Sequence, residues 1–116
     1  MACNRNIILT PVIYGDTWDG LSECSFSSDG SAFAANLSSV RMFFKDSDGV
    51  AGLELSSANG DITITDSSAW EFDVDAITNM NLAVGVWFWS IETTDANSIR
   101  KTRISGTLEI LDDATR

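Results

Sequence analysis

Apolar residues recur at every second position along most of this chain, and turn-forming residues break the alternation about every ten positions. That period is the period of half-buried strands, and the spacing is that of an antiparallel sandwich or barrel. The clearest strand runs from Ser39 to Lys45, where Val40, Met42 and Phe44 share one side and Arg41, Phe43 and Lys45 the other. Asp46-Ser47-Asp48-Gly49 closes it as a type I turn with a left-handed exit. Leu53 and Leu55 alternate with Glu54, Ile62 and Ile64 with Thr63, and the Asn59-Gly60 pair between them predicts a hairpin. Trp70 to Val74 sets Trp70, Phe72 and Val74 opposite Glu71 and Asp73.

The most apolar stretch, Leu82 to Thr94, sets Val84, Val86 and Phe88 against Trp87, Trp89 and Ile91. It predicts a central strand covered on both faces, or an exposed aromatic surface. The last strand carries Ile104, Leu108 and Ile110 on one face with Gly106 among them, where a close neighbour or a bulge is expected. Toward the start, Asn6 to Tyr14 reads as a strand that lies at an edge or bends at Pro11, because Pro cannot donate to a ladder, and Gly15 to Phe26 reads as a second extended segment that carries Trp18 and Leu21 and ends at Asp29-Gly30. Between Asp75 and Asn81 the alternation lapses, and Asp75 there predicts a single helical turn over Ala76 to Met80. The pattern as a whole predicts an all-β fold, an antiparallel immunoglobulin-like β-sandwich of about seven to nine strands with at most one short helical turn. With no repeat, linker or composition break, residues 1–116 are expected to form one domain with short terminal arms.

Composition narrows the function classes. The 17 acidic residues outnumber the 7 basic ones, giving a formal charge of −10, and there is no His. Ser-His-Asp and Cys-His catalysis and His-containing metal sites therefore cannot be built from this chain alone, and no enzyme activity, cofactor or metal is expected. An acidic surface repels phosphate backbones and anionic lipid, so neither nucleic acid nor membrane is expected as a partner. Arg100, Lys101 and Arg103 form the one basic cluster and read as a solvated strand end. Cys3 and Cys24 lack metal or redox spacing and are read as reduced, packed thiols of a protein assembled in the cytoplasm, with a bridge between them left open.

Few residues offer chemistry. Asp46 to Gly49 resembles the opening of a calcium loop, but the sixth and twelfth positions counted from Asp46 are Ala51 and Ser57, not the Gly and Glu such a loop needs. Glu71 and Asp73 alternate with core residues, as solvated strand faces do. Trp18, Trp70, Trp87 and Trp89 fit core filling or a subunit contact, with a sugar-stacking platform as the alternative.

The order of short motifs resembles a family of small bacteriophage virion structural proteins. The motifs are Gly15-Asp16-Thr17-Trp18, Asp29-Gly30, Val40-Arg41-Met42-Phe43-Phe44, Leu53-Glu54-Leu55, Asn59-Gly60-Asp61-Ile62-Thr63-Ile64, Gly85-Val86-Trp87-Phe88-Trp89, Gly106-Thr107-Leu108-Glu109-Ile110 and Asp113-Ala114-Thr115-Arg116. The chain departs from that family at Ser90, where the family usually has Asp. Such domains are similar to the N-terminal domain of phage baseplate upper proteins and to immunoglobulin-like modules on phage tails and heads.

The resemblance implies a non-enzymatic adaptor or decoration subunit, assembled in the host cytoplasm, docking on the tail, neck or baseplate of a virion. It implies other virion proteins as partners and a homo-oligomer in the particle. The alternatives are a capsid cement protein and a carbohydrate-binding module for host adhesion. The expected interface comprises the exposed-face aromatics Trp18 and Phe43 and the terminal segments Ala2 to Ile8 and Asp112 to Arg116, in particular Cys3, Asn4, Arg5, Asp113, Thr115 and Arg116.

Overall fold

The computed structural model of the chain describes residues 9–25 and 35–112. Its strands are β1 (Val12–Ile13), β2 (Leu21–Ser25), β3 (Leu37–Lys45), β4 (Ala51–Ser56), β5 (Ile62–Asp66), β6 (Glu71–Val74), β7 (Gly85–Asp95) and β8 (Arg100–Leu111). They form a five-stranded sheet in the order β1-β8-β7-β3-β4 and a three-stranded sheet in the order β2-β6-β5. Every ladder is antiparallel except that of β1 with β8. The fold is an all-β, immunoglobulin-like sandwich, and no helix occurs among the described residues.

The core follows the alternation. Val40, Met42 and Phe44 of β3, Trp89 and Ile91 of β7, and Ile104, Leu108 and Ile110 of β8 meet Leu21 and Cys24 of β2, Ile62 of β5, and Phe72 and Val74 of β6. Alternation along β8 puts position 106 on the inner face, and glycine fits there because the indole of Trp89 occupies the space a side chain would need: a Cβ would stand 2.9 Å from that ring. The Trp89 Nε1–H donates to the Thr107 carbonyl at 3.2 Å, which holds the ring in that slot. Trp70 enters from the β5–β6 turn in the left-handed region at φ 58°. Its Nε1–H donates to the Ala35 carbonyl at 2.8 Å, and Arg103 stacks 5.2 Å above its ring while donating to Thr93 Oγ1.

The turns are held by carboxylates. Asp46 Oδ1 accepts from the backbone N–H groups of Asp48 and Val50, and Asp95 Oδ1 from those of Asn97 and Ile99. Asp66 Oδ1 accepts from the N–H groups of Ser68 and Ala69 and from the Ser68 hydroxyl. The Ser68 hydroxyl first, and then these amides, hold the Asp66 carboxyl below its ordinary range.

Two local expectations are corrected. Asn59-Gly60 does not join a hairpin, because β4 pairs with β3 and β5 with β6, so the turn carries the chain from one sheet to the other. Ser57 makes that crossing possible: its hydroxyl accepts the Val40 N–H and its own N–H donates to the Val40 carbonyl, satisfying the β3 edge where β4 leaves it. Asp75 caps no helical turn. Residues 77–80 instead lie along 15–18, with Trp18 and Ile77 exchanging both backbone hydrogen bonds, Met80 donating to Asp16 and Gly15 to Met80.

Candidate functional site

Among the described residues, exposed large apolar side chains occur at Tyr14, Val50 and Ile99, which lie in turns or just past a strand, and as a group along and beside β7 on the outer face of the five-stranded sheet. β7 runs through its centre, and the odd-numbered residues Trp89, Ile91 and Thr93 are buried inward, so Val86, Phe88, Ser90 and Glu92 point outward. Val84, Val86 and Phe88 are 54%, 52% and 48% exposed, and Leu111, one strand over, is 38% exposed. Leu111 pairs with Ile13 of β1, which extends the strip across the sheet edge. Phe88 forms one wall of a shallow hollow of about 380 Å³ that is lined also by Lys45, Trp89, Ser90, Ser105, Gly106 and Thr107. It exists because three of those positions carry small polar side chains where β7 and β8 pair Ser90 with Ser105 and Phe88 with Thr107.

Farther along the same face the charges form a ladder across strands. Arg41 donates through Nε and Nη2 to Glu54 Oε1 at 3.0 and 2.7 Å, and its Nη1 stands 3.7 Å from Glu92 Oε1. Arg100 Nε approaches the same Glu92 oxygen to 3.6 Å, so that oxygen sits buried between two guanidinium groups without a hydrogen bond of its own. Phe43 lies half-buried between two cations, with the Arg41 guanidinium 4.7 Å and the Lys45 ammonium 5.4 Å from its ring centre. Pairs this exposed add little stability each, but together they neutralise the face.

The expected interface residues fall in three places. Phe43 is on the outer face as expected, under its two cations. Trp18 is corrected: it is 6% exposed and packs edge-on against Phe44 at 5.9 Å, because its backbone is zipped to Ile77 and its ring turns into the core. Cys3, Asn4, Arg5, Asp113, Thr115 and Arg116 lie outside the described residues. The reduced-thiol reading is also corrected, since Cys24 is fully buried and disulfide-bonded; a separation in sequence says nothing of which thiols the fold brings within bonding distance. The alternation places Val86 and Phe88 on one face of their strand but does not mark them, or Leu111, as contact residues. The missing signal was which face the second sheet would cover.

Another hollow, of about 320 Å³, opens beside β1 and is lined in part by Thr10, Asp16, Thr17 and Asp19. Thr17 is tied to the Thr78 carbonyl, and no group of three or more metal-ligating side chains occurs among the described residues. A sugar platform is not built either. Trp18, Trp70 and Trp89 are buried, and Trp87 is half-buried against Gly52 and Leu82, its Nε1–H donated to the Ala83 carbonyl. The sugar-binding alternative is withdrawn on that ground, for it needs indole faces in solvent.

No protein-family model matches the chain, and no curated protein does. A solved structure to which it is similar is that of CopC from Methylosinus trichosporium OB3b, at 10% identity and a TM-score of 0.47, covering 91% of this chain and 88% of that one. No match supports the expectation of a bacteriophage subunit, whether tail, neck or baseplate adaptor or capsid cement, and that expectation is withdrawn.

Proposed function

We propose that the domain is a non-enzymatic binding module that holds a partner protein against the outer face of its five-stranded sheet. The observation that carries this reading is the exposed strip of Val84, Val86, Phe88 and Leu111. Fully burying a side chain of this size is worth about 1.5–3 kcal/mol, and such patches on a soluble domain mark contact sites. Three of these four residues lie on or directly before β7, which is paired on both sides by β3 and β8, so docking orders little new backbone. The neutralised ladder beside the strip supplies a polar rim that fixes orientation. With a chain charge of −10, a protein surface suits this face better than a phosphate backbone or an anionic membrane.

The test is a photo-crosslinking amino acid placed at position 88, and separately at position 63 on the other sheet, in the protein's native cells. The expected result is a discrete protein adduct from position 88 and none from position 63. Equal labelling from both, or no adduct from position 88, overturns the reading.

A further inference from the structure

Resting on that reading of the face, we infer that its occupant is a second copy of this chain, packed sheet to sheet about a two-fold axis. Charge is the first argument. The chain carries −10 in all, yet the outer face of the five-stranded sheet sets Arg41, Lys45 and Arg100 against Glu54, Glu92 and Glu109. Elsewhere the balance fails, since no Lys or Arg occurs in residues 6–40 or 46–99, which contain β1, β2, β5 and β6 entirely. Two copies therefore repel least when these faces meet.

Shape is the second argument. Phe88 is a half-exposed knob that walls one side of a hollow whose other side is Ser105 and Thr107, and both lie on one face. A two-fold contact uses such a pair twice, because each copy offers the knob and receives it. With the axis along the strands at the β7–β8 boundary, β7 of one copy lies over β8 of the other. Phe88 then enters the hollow at Thr107, the residue it already neighbours within its own sheet. The same superposition brings Lys45 toward Glu109 of the other copy, and it does so twice.

Area is the third argument. Strands of these lengths, at about 3.3 Å per residue and about 4.8 Å apart, cover roughly 600 Å². With the axis at the β7–β8 boundary, β4 and most of β3 find no strand opposite, so about two thirds of each face overlaps and the two copies bury roughly 800 Å², the size of a weak, transient contact; the dimer is expected to be reversible rather than obligate.

Sedimentation equilibrium of the purified chain in about 0.15 M salt reads this directly. The expected result is reversible dimerisation in the micromolar range, weakened at least ~100-fold by Phe88→Asp with an unchanged melting temperature. Lys45→Glu should weaken it about 5- to 10-fold, and adding Glu109→Lys should restore it. Thr63→Asp, on the other sheet, should leave association unchanged. A monomer at about 500 µM, or a dimer indifferent to Phe88→Asp, overturns the inference. If the chain is monomeric while position 88 still crosslinks a different protein, self-association fails and the binding role stands. If neither occurs, both fail.

Discussion

The outer face of the three-stranded sheet and that of the five-stranded sheet flank one core, yet they suit different surroundings. Their inner faces obey the same rule: Phe72 and Val74 on one side and Phe44, Trp89 and Leu108 on the other are buried almost completely. Outward, β5 and β6 present Thr63, Thr65, Glu71 and Asp73, small or acidic groups without a cation on either strand. β3, β7 and β8 present Phe43, Val86, Phe88 and both signs of charge. A face of small polar and acidic groups keeps copies apart and needs no cover. A neutral face with apolar knobs loses free energy while it stays wet. The difference teaches that the inner faces specify the fold, whereas the outer faces are free to differ, and only that of the five-stranded sheet carries the apolar strip on which the proposed contact rests.

The largest test asks whether the inner faces are one core. Phe72→Ala on the three-stranded sheet and Phe44→Ala on the five-stranded sheet should each cost about 3–5 kcal/mol of unfolding free energy. Both variants should unfold in a single denaturant transition; two separated transitions would show that the sheets do not share a core. Next, Cys24→Ser should cost about 2–4 kcal/mol, and wild-type protein treated with a reductant should melt at a similarly lowered temperature. A reductant-insensitive melting temperature would speak against the disulfide.

A smaller effect sharpens the contrast between the outer faces. Thr63 stands opposite Asp73 across the β5–β6 ladder, so Thr63→Lys should raise stability by about 0.5 kcal/mol in low salt and by less in high salt, read by chemical denaturation. The smallest effect concerns Asp66. Its pKa is lowered in the folded state, so the stability it adds is present above the ordinary carboxylate value and is lost as pH falls through the folded value. Melting followed from pH 5 downward should decline less steeply for Asp66→Asn than for the wild type, and parallel curves would remove Asp66 as a contributor.

Much of the fold is legible from alternation, because a strand with one buried face must carry a period of two. Ser39 to Lys45 has the predicted inner and outer residues, the turn at Asp46 is held by the side chain expected to hold it, and Gly106 has the close neighbour its position required. What failed to show was pairing. Asn59-Gly60 has the composition of a hairpin, but whether β5 returns along β4 or crosses to the other sheet depends on β6, whose pull on β5 is not a local property. Trp18 failed for a related reason: a lone aromatic in a loop has no alternation to assign its side, and only the backbone bridge to Ile77 turns it inward. The contact face was half legible. Its residues could be grouped, but which side stays bare depends on how many strands the opposite layer holds.

The pairing of β1 with β8 has a mechanical side. β1 runs parallel to β8, with Val12 opposite Ile110 and Ile13 opposite Leu111, and Tyr14 adds a backbone hydrogen bond to the Leu111 carbonyl. A pull transmitted from the chain before β1 and the chain after β8 acts on this pair in opposite directions along the strands. The bonds are then loaded together in shear, as in a lap joint, rather than opened one at a time like a zipper. The short clamp at the edge of the larger sheet thus meets tension in shear, alongside the covalent tie that Cys24 makes through its disulfide.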